Sequence, residues 1–153
     1  MARQIDNITI EDAKIRFKNF AGAPDKFNPR GGKRTFNVLI EDPDMAQKLA
    51  EDGWNIRILQ GRDPDEEPVH TIQVEVSFNN YPPAVWMVTE RGTKTRLDEE
   101  TIAELDNARI LTADIIISPY CWEVNGKSGV KAYLKTLYAT IEEDKFAAKY
   151  DFD

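Results

Sequence analysis

Residues 130–138 read VKAYLKTLY, and how this stretch is read decides the fold. Taken as a β-strand, it alternates: Val130, Ala132 and Leu134 fall on one face, and Lys131, Tyr133 and Lys135 on the other. The first face belongs against a core. The second, basic then aromatic then basic, is an unusual surface to present to water.

Working outward from it, ADIIISPYCWEV (113–124) reads as the preceding strand, joined through NGKSG (125–129), in which Asn125-Gly126 is a strong hairpin-turn signal. The chain then runs into EEDKFAAKYDFD (142–153), acidic with interspersed aromatics. Upstream, DEETIAELDNA (98–108) reads as a helix capped by Asp98, with Ile102 and Leu105 as a short apolar stripe and early acids suited to a positive helix N-terminus. The segment NNYPPAVWMVTERGTKTRL (79–97) carries a double proline, a short apolar run and a basic hairpin-like tip.

Before that, HTIQVEVSF (70–78) alternates cleanly, setting Ile72, Val74, Val76 and Phe78 against Thr71, Gln73, Glu75 and Ser77. WNIRILQ (54–60) reads as a strand with Trp54, Ile56 and Ile58 inward, followed by the solvated turn-rich loop GRDPDEEP (61–68). A short helix precedes it, with Asp42 as N-cap, Pro43 at its first position, Met45 and Leu49 on one face, and Gly53 at its end. RTFNVLI (34–40) is a strand with Phe36, Val38 and Ile40 on one side.

The first strand, Ile8 to Phe20, changes face partway. Ile8 and Ile10 share a side, but the later apolar set is Ala13, Ile15 and Phe17, which places a bulge or bend near Glu11 and Asp12. Beyond the bend, Lys14, Arg16 and Lys18 fall together on the opposite face. The Gly- and Pro-rich loop AGAPDKFNPRGGK (21–33) follows.

In order this is strand, strand, inserted helix and strand, strand, helix, strand, strand. A five-strand barrel with a helix before the fourth strand, and a long bent first strand serving both sides of the sheet, is the plan of an OB-fold. The expectation is therefore a mainly β chain, an OB-fold-like β-barrel of about five core strands with two short helices. Residues 1–141 make up the domain and residues 142–153 the tail. An antiparallel sandwich with two covering helices is the rival arrangement.

Composition narrows the function classes. The chain has 153 residues, 41% hydrophobic and 31% charged, which suits one soluble domain with its own core. No run approaches the roughly 18 apolar residues that span a bilayer, and Met-Ala-Arg-Gln-Ile-Asp does not resemble a signal peptide, so no membrane partner and a cytoplasmic setting are expected. With one Cys (Cys121) and one His (His70), neither an internal disulfide nor a zinc site is expected. Cys121 reads as a small buried hydrophobe, and His70 as the start of a strand.

The net charge of −7 argues against a polyanionic partner until its distribution is considered. Residues 1–40 carry eight Lys or Arg against four acids, residues 41–109 seven against sixteen, and residues 110–153 five against seven. The chain is basic at one end and acidic in its middle.

Several segments resemble a known family. AKIRFKNFAG, FNPRGGKRTFNVLI, GWNIRIL and WEVNGKSGVKAYLKTLYATI, closed by an acidic aromatic tail, look like phage-encoded single-stranded DNA-binding proteins with an OB-fold. That resemblance, over roughly residues 5 to 153, implies a basic and aromatic groove that coats transient single strands during phage replication or recombination, in the bacterial host cytoplasm. It also implies an acidic tail that recruits replication or recombination partners and competes with DNA for the groove, here ending Asp151, Phe152, Asp153. The terminal Asp153 departs from relatives that finish on the aromatic itself.

Physical chemistry reaches the same class independently. Single strands are held without sequence preference by stacking bases on aromatic rings while Lys and Arg follow the phosphates. Lys131, Tyr133 and Lys135, with Lys14, Arg16 and Lys18, supply both ingredients, and pairing of first and last strands would join the two triplets into one strip. Phe27, Arg30, Lys33 and Arg34 in the first long loop, with Trp122 and Lys127 at the last hairpin, would wall the groove. DNA and RNA are equally served by these contacts, and a homo-oligomer is left open.

Each feature has a plainer reading. Alternating lysines also protect edge strands from aggregation, and either triplet alone is better explained so; the two triplets and the basic loop together favour a binding surface. Trp54, Trp86, Phe36 and Phe78 read as core aromatics, Tyr81 as the anchor of a proline turn, and Trp122 divides evenly between core and site.

Catalysis finds little support. Gly31-Gly32-Lys33 lacks the spacing and following Ser or Thr of a phosphate loop, and Asp63, Asp65, Glu66 and Glu67 lack the glycine of a calcium loop. No cofactor, metal or catalytic residue is assigned, although scattered acids leave a metal-dependent nuclease open. The alternative outside enzymes and DNA binders is a structural or interaction protein, such as a virion component or host inhibitor, that meets a partner through its acidic face.

Overall fold

The computed structural model describes residues 5–24, 29–59, 63–79 and 82–142. Its architecture follows from how the longest stretches of alternating sequence pair. Strand β8 (Ile110–Val124) and strand β9 (Lys127–Ile141) run antiparallel along their whole length. A two-residue turn joins them, with Asn125 at φ 52° and Gly126 at φ 78°. Two successive left-handed residues match the twist of the flanking strands, which explains Asn-Gly at this point.

Along β9 the alternation holds from Val130 to Leu134 and then breaks. Val130, Ala132 and Leu134 are buried, and so are Leu137 and Ala139; an unbroken period of two would have buried Thr136 and Tyr138 instead. The ladder shows the cause: Ile117 faces Leu134 and Ile116 faces Thr136, so Lys135 is the extra residue of a β-bulge. The outward face of β9 is consequently Lys131, Tyr133, Lys135, then Thr136 and Tyr138.

The first strand is split as its pattern requires. β1 (Ile8–Ala13) pairs with β8, and β2 (Ile15–Asn19) pairs with β3 (Arg34–Ile40). Asp12 sits at φ 53° where the register shifts between Ile10 and Ala13, the bulge that the change of face demands. β3 pairs with β5 (Val69–Val76), and β5 runs parallel to β9. The resulting path, β1-β8-β9-β5-β3-β2, is a five-strand OB-like plan if β1 and β2 count as one bent strand.

No ladder joins β1 to β2 among the described residues, so the barrel expectation is loosened to an open sheet curled around its core. Three further strands bring the sheet to nine. β4 (Ile56–Leu59) is an edge strand on β5, while β6 (Ala84–Thr89) and β7 (Lys94–Leu97) form a hairpin whose β6 lies parallel to β9.

Helix α1 (Pro43–Glu51) starts as expected, the Asp42 carboxylate accepting from the Asp44 N–H at 3.0 Å. Helix α2 is shorter than its sequence suggests. Only Glu104–Asn107 is helical, because residues 98–103 form tight turns in which the Asp98 carboxylate accepts from the Glu100 and Thr101 N–H groups at 2.9 and 3.0 Å. The Asp98 side chain also accepts from the Thr101 hydroxyl, and these bonds hold its pKa below the usual value.

Phe20, Phe36, Val38, Ile72, Val74, Ile102, Leu105, Ile115 and Ile117 form the centre of the core. Phe20 and Phe36 stack at 5.1 Å. Four placements differ from the sequence reading. Phe17 adopts φ 52° and is 65% exposed, Ile58 on the edge strand is 56% exposed, Cys121 is exposed, and Trp86 stands half-buried on the outer face of β6. Among the described residues no helix is long and apolar enough to cross a membrane.

Candidate nucleic-acid interface

The outward faces of β3, β5 and β9 form a trough. Alternation puts Phe36, Val38, Ile72 and Val74 inward, which leaves Thr35, Asn37, Gln73 and Glu75 facing out beside Lys131 and Tyr133. Parallel pairing sets Glu75 against Tyr133. Three clefts lie along this surface, the third joining the other two: it shares Lys33 and Glu75 with the first and Ser77 and Asn79 with the second. The first, about 490 Å³, lies between Trp122, Gln73, Glu75, Lys33 and Lys131. A second of about 820 Å³ holds Tyr120, Tyr133, Lys135 and Thr136. The third, about 450 Å³, runs over Lys33, Arg34 and Glu75 toward Phe78.

Glu75 is the hub. Its two carboxylate oxygens take Lys131 Nζ at 3.1 Å and Lys33 Nζ at 3.6 Å. The Lys131 ammonium also lies 5.2 Å from the centre of the Tyr133 ring, which meets Tyr120 edge-on at 6.1 Å. Partial burial works against charge on Lys131, but its bonds to Glu75 and Tyr133 outweigh that and raise its pKa above the ordinary lysine value. The strip therefore presents the Lys131 ammonium held in place beside the Tyr133 ring and charged at neutral pH.

Trp122 closes one end. A β-carbon on Gly129 would come within 2.9 Å of the Trp122 ring, so the indole lies flat against the bare backbone of its cross-strand partner. It is 38% exposed, and it belongs to the wall of the trough.

The two predicted triplets do not join directly. β9 pairs with β5, β6 and β8, and β2 pairs with β3, so Arg16, opposite Asn37 in the ladder, stands on the far side of β3 and β5 from Lys131. Arg16 is exposed on the outward face, and Lys14 pairs with Glu41 at 3.1 Å. Lys18 turns elsewhere: the kink at Phe17 sends its ammonium to the Leu105 and Ala108 carbonyls, at 2.9 and 2.5 Å, where it caps α2. That triplet is divided by its backbone.

The first loop is tied down at its base. Asp106 accepts from the Phe20 and Ala21 N–H groups at 2.7 and 2.8 Å, and Arg34 donates to the Phe20 carbonyl at 2.8 Å. Arg34 also lies over the Phe78 ring at 5.7 Å and is mostly covered, whereas Arg30, Lys33, Lys127 and Lys135 are exposed. Phe27, Tyr81 and the tail residues Asp151, Phe152 and Asp153 lie outside the described residues. Sequence reading missed Glu75 and Tyr120 as members of the site, although the first was legible on the wet face of HTIQVEVSF. Among the described residues no cluster of His, Cys, Asp and Glu is suited to a metal ion.

With this geometry in place, comparison with known proteins decides the family. The model of the family described as "Putative phage ssDNA-binding domain" matches residues 1–152. The chain belongs to this family. No curated protein matches the sequence. Among solved structures, a C-terminally truncated form of the single-stranded DNA-binding protein from bacteriophage Enc34 superposes with a TM-score of 0.56 at 13% identity, covering 90% of this chain and 87% of that one. The same Enc34 protein in complex with ssDNA gives 0.55 at 14% identity, over 92% and 89%. Gp2.5, a single-stranded DNA binding protein encoded by bacteriophage T7, gives 0.46 at 15% identity over the full length of both chains. At such identities the Enc34 likeness speaks to the fold alone.

Proposed function

We propose that the protein coats single-stranded DNA, without strong sequence preference, during phage DNA replication or recombination. The observation that carries this reading is the convergence of Lys33, Lys131, Tyr133, Tyr120 and Trp122 on one outward trough. Aromatic rings serve every base because each has a π-face, and lysines follow a backbone whatever its sequence. Membership of the family supports the reading, as does the Enc34 neighbour whose structure contains ssDNA.

Arg30, Arg34 and Lys127, with Phe27, are assigned to the ends of the trough, and Arg16 and Lys14 to its far bank. The acidic tail, residues 142–153 with five acids and two lysines, competes with phosphates for the trough and recruits replication or recombination proteins through Asp151, Phe152 and Asp153. Fluorescence anisotropy with labelled oligo(dT), duplex DNA and RNA at two salt concentrations tests the main claim. Binding to oligo(dT) that is much tighter than to duplex and weakens with salt supports it; equal or absent binding by a folded sample contradicts it. Deleting residues 142–153 tightens binding at low salt and less so at high salt, and unchanged affinity at low salt would remove the competing tail.

A further inference from the structure

Beyond the trough, the outer face of β9 continues to a second aromatic and basic cluster. The bulge at Lys135 shifts the alternation so that Tyr138, not Leu137, points outward. Tyr138 faces Trp86 on β6, which faces Arg96 on β7. The Trp86 and Tyr138 rings are parallel within 6° with centroids 6.2 Å apart, and the Arg96 guanidinium lies 5.3 Å from the Trp86 ring. Lys94 and Arg96 are exposed on the hairpin strand beside them.

We infer that this Arg96–Trp86–Tyr138 row is a second stacking site for single-stranded DNA, extending the path of the trough along β9; the inference rests on the reading given above. Three observations favour a nucleic-acid occupant. The second cleft of the trough, lined by Tyr133, Lys135 and Thr136, also reaches Ala84 on β6, which pairs with Thr136 two residues before Trp86 pairs with Tyr138. On β8 the residues opposite Tyr133 and Tyr138 are Ser118 and Asp114, so the two rings stand roughly 13 Å apart along the sheet, a distance a few stacked nucleotides cover. The row also joins a planar cation to two parallel rings, the pairing that takes a base and its phosphate together.

Asp114 is the acidic neighbour on the Tyr138 side, and its carboxylate is engaged by the Asp12 N–H at 3.0 Å. A purely structural role, fastening the β6–β7 hairpin to β9, would affect stability and leave DNA length dependence alone. That difference supplies the test.

Affinity is measured for a series of labelled oligo(dT) of about 4 to 16 nucleotides, the range of site sizes of OB domains, with wild type, Arg96→Glu, Trp86→Ala and Tyr133→Ala. The wild type gains affinity with length. Arg96→Glu and Trp86→Ala match it on the shortest strands and fall behind on the longest by roughly 5- to 150-fold, while Tyr133→Ala loses at every length. Variants that follow the wild type at all lengths overturn the second site and leave the trough standing, and Arg96→Glu alone decides if Trp86→Ala does not fold. Failure of the wild type to bind any length overturns both.

Discussion

Glu75 sits where a phosphate-binding strip would least be expected to carry a carboxylate. It holds Lys33 and Lys131 in place, yet it also neutralises both, so phosphates must exchange with it to gain those contacts. Glu75→Gln therefore tightens binding to oligo(dT) at low salt and steepens its salt dependence, by about 0.7 in log–log slope for each lysine released; an unchanged slope would mean that neither lysine meets the backbone. Glu75→Gln also lowers the Lys131 pKa from its raised value, because it removes a bond and a charge that oppose the effect of partial burial. In the wild type, the raised pKa makes the Lys131 contribution to folding complete below the unfolded-state value of 10.5 and lost as pH climbs through the higher folded value. Tyr133→Ala weakens oligo(dT) binding by about 1 to 3 kcal/mol without unfolding the protein, since the ring stands on the outward face rather than in the core. Gly129→Ala is a test of Trp122: the added methyl pushes the indole off the backbone, so affinity falls while the fold persists, and unaltered tryptophan fluorescence and affinity would refute its place in the wall.

At the scale of elements, the contacts between the first strand, its loop and α2 separate structure from binding. Lys18 and Asp106 lace β2 and the two residues after it to α2 and its C-cap by four hydrogen bonds. Asp106→Ala leaves the Phe20 and Ala21 N–H groups without their carboxylate and costs about 1 to 3 kcal/mol in urea unfolding. Lys18→Met lowers stability as well and leaves the salt slope of DNA binding unchanged; a slope that drops would return Lys18 to the interface. Why the sequence did not reveal this is instructive. Alternation treats β2 as uniform, but the left-handed turn at Phe17 resets the phase, and one residue of slip sends every later side chain to the other face. The bulge at Lys135 has the same effect on β9, which is how Tyr138 escaped notice, whereas Trp86 was read as core because large aromatics dominate cores. By contrast, the bulge at Asp12 was legible because it lies between two apolar runs of opposite phase. The N-cap at Asp42 and the Asn-Gly turn were legible because each is a local chemical requirement. Helix α2 was overestimated because Asp98 satisfies successive N–H groups and supports a chain of turns as readily as a helix.

Over the whole molecule, the order of the strands along the chain was readable and their pairing and closure were not. The five long elements and the bent first strand follow from pattern and length, whereas the choice of neighbours for β9, parallel to both β5 and β6, depends on contacts distant in sequence. For the same reason Arg16, expected beside Lys131, stands across β3 and β5 from it, and Lys18 leaves that face for α2. The net charge of −7 coexists with a basic trough because the acids concentrate in the middle of the sequence, and surface charges separated by more than about 10 Å are largely screened from one another at 0.1 M salt. The central claim is that single-stranded DNA lies in the trough between Trp122 and Lys135. Ultraviolet cross-linking of the full-length protein to oligo(dT), with the linked peptides identified by mass spectrometry, addresses it directly. Cross-links on Tyr133, Tyr120 or Trp122 are the predicted result; cross-links found only on residues that do not line the trough would contradict it.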